Sequence, residues 1–345
     1  MEKLLRQQFP QAEAFVVSNP ADIFYLTGFF CSDSLLLYGA EPILVTDGRY
    51  AVAAKRARAE VRIVSGSYLS GLAEAAKQKG YRTLGIQEDF LTAQEYLTLQ
   101  EEQFSLIPTR SVFCGLRAAK NEHEVKAIRM AQAVTDQAFE RLLPYIREGA
   151  TEKQLRARLE FLLFDCGADG LAFETIVAGG PNGALPHAVP SDRPVKKGEF
   201  ITFDFGARVG GYCSDMTRTV ALGPVDARQK EIYEAVGKAH EAGAALLKPG
   251  NSAREADEAA RNVLAEAGLG KYFVHSLGHG VGIEIHEQPR LSPKSDDVLV
   301  PGHVVTVEPG VYIEGFCGVR TENMYVISLF GHENLTETDK KLIKL

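Results

Sequence analysis

A chain of 345 residues exceeds the roughly 250 to 300 residues at which a single hydrophobic core stops growing, so two domains are expected. Hydrophobic residues make up 45% and charged residues 24%, an ordinary globular balance with no run of about 18 apolar residues to span a bilayer. The formal net charge of -7, with no basic cluster, argues against nucleic acid as a partner, and the five scattered cysteines, none in a CxxC pair, indicate neither a disulfide framework nor a zinc ribbon.

The N-terminal stretch MEKLLRQQFPQAEAF lacks an apolar segment followed by a small-residue cleavage site, so a cytoplasmic location is expected. Up to about residue 116 the pattern alternates like a small α/β domain. Strands are expected over AEAFVVS, SLLLYG, EPILVTDG, VRIVSG and TLGIQED, and a helix over RYAVAAKRARAE, residues 49–60. A further helix starts after Asn121, which caps it with Glu124 three positions on, while Val125, Ile128, Ala131 and Val134 form one apolar face. The domain boundary is expected just before this helix, dividing the chain into residues 1–116 and 117–345.

The second part repeats itself. Residues 147–167 align with 248–268 at an offset of 101, matching Gly149 with Gly250, Thr151 with Ser252 and Gly167 with Gly268, each segment reading as a capped helix ended by glycine. At an offset of 104, KGEFITFDFGARVGGYC aligns with PGHVVTVEPGVYIEGFC, matching Thr202 with Thr306, Asp204 with Glu308 and Cys213 with Cys317. A duplicated helix-plus-hairpin unit is therefore expected.

FITFDFG and VVTVEPG read as strands, in which acidic residues are depleted, so Asp204 and Glu308 need a reason to be there. A hairpin turning between Val209 and Gly210 sets Asp204 opposite Asp215, and one turning at Gly315 sets Glu308 opposite Glu322. Opposed like charges destabilise a sheet, so the four carboxylates demand positive charge. Arg218 and Arg320 could supply it as a salt-bridge network, and a shared proton could relieve one pair. Two divalent cations, manganese, cobalt, iron or zinc, match the number of acids best.

VHSLGHGVGIEIHEQP adds His275, His279 and His286. The glycines argue against a helical zinc motif, and on an extended strand His275 and His279 share a face that His286 does not. One imidazole is expected as a ligand and two in the chemistry around it.

DFGARVGGYCSDMTRT, HSLGHGVGIEIHE, VEPGVY and GVRTEN together resemble the pita-bread metallopeptidases, which include methionine aminopeptidase, prolidase, aminopeptidase P and the related creatinase. The resemblance implies an α+β pita-bread catalytic domain with an internal pseudo-twofold repeat, following an α/β N-terminal domain. It fills the metal-ligand positions with Asp204, Asp215, His279, Glu308 and Glu322, spaced by 11, 64, 29 and 14 residues as in short prolidases. Asp215 and Glu322 are then expected to bridge two ions, most often manganese or cobalt, with His279 and Glu308 completing one and Asp204 holding the other. NPADIFYLTGF and TDGRY look like the small domain of Xaa-Pro peptidases, and ETIVAGGPNGALPHAVPSDR resembles the family's substrate strand, with His187 seventeen residues before Asp204.

The implied activity is hydrolysis of the bond before proline in a di- or oligopeptide. Glu308 is expected to shuttle a proton, His187 and His286 to contact the substrate amide, and His275 and Arg320 to support the ligands and the substrate side. Arg290 matches a prolidase-like position for binding the carboxylate of a dipeptide, and the resemblance also implies a homodimer. The alternatives are a metal-independent, creatinase-like amidinohydrolase and a catalytically inactive peptide-binding module. The sequence departs from the family pattern at Thr321 and Asn323, usually Ile and Asp, and at Gly183, usually Ser.

Overall fold

The computed structural model describes Leu5 and residues 7–110 and 112–345; residues 1–4 and 6 of the stretch read above for a leader lie outside them. The chain divides into two compact units, Met1–Leu116 and Arg117–Leu345. Among the described residues no helix is long and apolar enough to cross a membrane.

The first unit is built on a six-stranded mixed sheet in the order Glu60–Val64, Ile43–Asp47, Ser34–Tyr38, Ala14–Val17, Thr83–Ile86, Ser105–Pro108. Both faces of its central strands are covered, which is why they read as unbroken apolar runs. Leu35 and Leu37 pack with Leu69 and Leu72 of the helix Tyr68–Gln78 on one side, and Leu36 with Ile23 and Phe113 on the other. Residues 49–60 do not form the expected helix. They make two 3₁₀ turns, Gly48–Tyr50 and Ala53–Arg56. Asp47 is the physical reason for the first, since its carboxylate accepts from Arg49 N at 2.8 Å and pairs with the Arg49 guanidinium, closing a tight turn.

In the second unit the repeat is visible element by element. Thr151 and Ser252 each cap a helix, Glu152–Asp165 and Ala253–Glu266, through a capping box with Gln154 and Glu255, and glycines with positive φ, Gly167 and Gly268, follow both. The strands Glu199–Phe205 and Met216–Leu222 pair in the first copy, and Val304–Val307 and Asn323–Ile327 pair in the second.

The first hairpin has a different register from the one expected. Asp204 lies opposite Thr217, and Val209 pairs with Tyr212, so the loop is Gly210–Gly211. Both glycines have positive φ, 58° and 87°, the requirement of a two-residue hairpin turn that only glycine meets without cost. Asp215 is therefore diagonal to Asp204 and not directly opposite it. The second hairpin turns about Gly315, φ 72°, and the pairs Val307 with Asn323 and Gly310 with Arg320 set Glu308 against Glu322 as expected.

Candidate metal and substrate site

The two hairpins meet along a seam. Glu322 N donates to Thr217 O at 3.1 Å, and Thr219 Oγ1 donates to Arg320 O at 3.0 Å, so the strand of one copy is laced to the ligand-bearing turn of the other. The carboxylates of both copies open from this seam into one cavity of about 520 Å³. Asp204, Asp215, His279, Glu308 and Glu322 line it, as do His187, His275 and His286, and Arg290 and Arg320. All of these belong to the second unit.

The oxygen and nitrogen atoms of Asp215, His279 and Glu322 lie within 4.8 Å of one another, and Glu308 Oε1 approaches His279 Nε2 to 3.3 Å. His279 Nδ1 faces the Gly280 carbonyl at 3.1 Å. A carbonyl only accepts, so Nδ1 carries the proton and Nε2 presents its lone pair to Asp215 Oδ2, 3.6 Å away. Thr306 fixes this corner by accepting from His279 N at 3.1 Å and donating to Glu308 Oε1 at 3.3 Å. Thr217 Oγ1, opposite Asp204, donates to Glu322 Oε2 at 2.6 Å. Glu322 Oε1 is buried and accepts no hydrogen bond from any described residue.

Burial pushes the Asp215 and Glu322 carboxyls well above the usual range, with the neighbouring carboxylates pushing the same way, and burial raises Glu308 to about 8. The cluster therefore carries more negative charge than its surroundings balance. Arg320 faces it and pairs with Asp204 Oδ2. Burial opposes the Arg320 charge, yet Tyr312 and the carboxylates hold its pKa well above the ordinary value. Arg218 feels the Glu322 charge but forms no ion pair with the cluster. Its guanidinium donates to the backbone carbonyls of Thr217, Glu322, Thr338 and Asp339 and to Asn323 Oδ1, so the two-arginine network considered from the sequence does not form. A buried oxygen-rich set with one imidazole, one orphaned carboxylate oxygen and one facing cation fits divalent metal ions.

Tyr312 was not singled out from the sequence. It accepts from Arg320 Nη1 at 2.6 Å and donates to His275 Nε2 at 2.9 Å, while His275 Nδ1 faces Ser276 O at 2.8 Å. Both His275 nitrogens are thus engaged, in a chain ending at Asp204. His286 stacks edge-on to His279, with ring centroids 4.4 Å apart, and its surroundings lower its pKa to about 4 through burial, leaving it neutral near pH 7. His187 and Arg290 are exposed at the rim, Arg290 on the strand residue that pairs with His279. Of the departures from the family pattern, Thr321 and Asn323 are buried outside the cavity lining, and Asn323 accepts from Arg218 Nη2 at 2.8 Å.

Residues 126–328 match metallopeptidase family M24, and residues 3–119 match the creatinase/prolidase N-terminal domain. The chain belongs to metallopeptidase family M24. It is 38% identical, over 100% of its own length and 99% of the relative's, to the Bacillus subtilis (strain 168) protein named uncharacterized peptidase YqhT. Among solved structures it is similar to a Xaa-Pro dipeptidase from Bacillus anthracis, with 39% identity, a TM-score of 0.95 and coverage of 99% of this chain and 98% of the other. An X-Pro aminopeptidase from Thermotoga maritima MSB8 has 34% identity, a TM-score of 0.92 and coverage of 99% and 100%. The M24 member described here therefore has the pita-bread catalytic domain and the creatinase/prolidase N-terminal domain of that architecture.

Proposed function

We propose that the chain hydrolyses the peptide bond preceding proline, using two divalent ions held by Asp204, Asp215, His279, Glu308 and Glu322. The observation that carries this is the surplus of buried carboxylate at one seam, including the orphaned Glu322 Oε1. A metal-independent amidinohydrolase has no need of such a surplus, and an inactive binding module has no reason to retain the whole set. Asp215 and Glu322 would be shared between the ions, with His279 and Glu308 serving one and Asp204 the other. The oxygen-rich donors suit manganese or cobalt ahead of zinc or iron.

Bound divalent ions supply acidified water near neutral pH and polarise the scissile carbonyl. Glu308 accepts and returns the proton. His187 and His286 hydrogen-bond the substrate amide and the developing oxyanion. Arg320 orients Asp204, and His275 acts through Tyr312 on Arg320. The Xaa-Pro bond is a tertiary amide with no N–H, so a pocket that reads carbonyls and chain ends suits it better than strand pairing.

Relatives carry both dipeptidase and aminopeptidase names. Arg290 favours dipeptides, because a guanidinium at the rim can pair bidentately with the free proline carboxylate. A Xaa-Pro dipeptide is expected to show a higher kcat/KM than the same peptide extended by one residue. Arg290→Ala is expected to cost about 10- to 100-fold on the dipeptide and little on the tripeptide. Equal or better cleavage of the tripeptide overturns the dipeptidase reading.

The protein is also proposed to act in the cytoplasm as a homodimer. The family resemblance supports this reading, and the first unit exposes the apolar side chains Phe30, Val52, Phe90 and Leu97. Sedimentation at micromolar concentration is expected to give twice the chain mass of 37.7 kDa, and a purely monomeric boundary refutes it.

A further inference from the structure

Glu152 opens the helix Glu152–Asp165, one residue after its Thr151 cap. An acid there is ordinarily solvated, but Glu152 is 0% exposed, and no lysine or arginine among the described residues forms an ion pair with it. Arg193, which feels its charge, pairs directly with Glu199 instead, so the buried carboxylate depends on hydrogen bonds to fill its oxygens. Four do so. Gly179 N donates to Oε1 at 2.8 Å, while Asn182 Nδ2 at 2.8 Å, Ser191 N at 2.9 Å and Ser191 Oγ at 2.7 Å all donate to Oε2.

These donors flank the segment between Gly179 and Ser191, which carries His187 to the cavity rim. Glu152 N and Lys153 N extend the attachment to Arg193 O and Ser191 O, at 3.3 and 3.2 Å. Apolar packing holds this loop only in part: Ala188 and Pro190 are buried, but Leu185 and Val189 are 57% and 77% exposed. Among the described residues, its only other side-chain tether near His187 is Arg320 Nη1 to Pro186 O at 3.2 Å, already part of the site. We propose that Glu152, which lies outside the cavity, is a positioning residue that fastens both ends of this loop and so sets the place of the His187 imidazole.

The other copy of the repeat has a comparable attachment from a different position, since at the offset of 101 Glu152 aligns with Ala253 and Asp257 with Arg156. Asp257, buried in the matching helix, accepts from Leu277 N at 2.9 Å and pairs with Arg261, whose guanidinium donates to the carbonyls of Phe273 and His275. In each copy a buried acid on the second helix pins the segment that brings a histidine to the site.

The inference rests on the reading that His187 contacts substrate, and two readouts separate its failure from failure of that reading. Glu152→Gln keeps the shape but turns one acceptor oxygen into an NH2 group, which in either amide orientation faces N–H or O–H donors and loses their bonds. Amide exchange over residues 182–191 is expected to quicken by about tenfold or more, with the helix Glu122–Leu142 unchanged. Unaltered exchange in this loop overturns the tether whatever the substrate proves to be. On a Xaa-Pro peptide, kcat is expected to fall by about 10²-fold at unchanged metal content, because a displacement near 1 Å suffices for that loss. In a His187→Ala background the same substitution is expected to add less than about twofold, since its effect passes through the absent imidazole. Losses that multiply in the double variant overturn the positioning role. Ser191→Ala, which removes one donor, is expected to give the same pattern at smaller size and serves if Glu152→Gln does not fold.

Discussion

Glu322→Gln is expected to lower kcat/KM for a Xaa-Pro peptide by about 10³-fold or more, the loss that follows from removing several kcal/mol of metal-assisted stabilisation. Glu322 sits where the two hairpins meet, with Oε2 held by Thr217 and Oε1 unpartnered, so an amide in its place offers one weak donor atom where two charged oxygens stood. Metal content is expected to fall with activity. Stability separates this from a structural role. In chelator the variant is expected to melt at or above the wild-type temperature, because it removes one buried acid from beside Glu308 and Asp204. With manganese present the order reverses, since ligand at about 100 times its Kd stabilises the wild type by about 2.7 kcal/mol that the variant does not gain. A variant much less stable than wild type in chelator shows that Glu322 mainly holds the fold.

His286→Ala is expected to reduce kcat by about 10²- to 10³-fold while metal content stays normal, the range typical of a group that hydrogen-bonds a developing charge. Its ring lies edge-on to His279 and is neutral near pH 7, suited to donate or accept a hydrogen bond at the reacting amide. Metal analysis beside steady-state kinetics checks the assignment. Loss of metal in this variant makes His286 a ligand and overturns its role.

The acids were readable from sequence because Asp204 and Glu308 interrupt runs of β-branched and aromatic residues, where a charge is costly unless something calls for it. The second hairpin was readable because Gly315 alone can take the positive φ of its loop. The first carried an equally clear signal in Gly210–Gly211, which belongs in a two-residue turn, and centring the turn on Val209 and Gly210 misplaced the strand by two residues. The apolar and basic run at residues 49–60 mimicked a helix, but Asp47 captures Arg49 and diverts the chain into a 3₁₀ turn.

Tyr312 and Glu152 could not be found from local pattern at all. Tyr312 matters because folding brings it between Arg320 and His275, and Glu152 because three residues 27 to 39 positions away converge on it. Thr306 was nearer to being read, since its match with Thr202 in the repeat marked a position kept polar inside a buried strand.

Metal content measured together with Xaa-Pro hydrolysis tests the central claim most directly. The enzyme loaded with manganese or cobalt is expected to hold close to two ions per chain and to cleave the bond before proline. Chelation is expected to remove both the metal and the activity, and adding back manganese or cobalt to restore both. A chain that binds no divalent ion and hydrolyses Xaa-Pro peptides equally well in chelator contradicts the account.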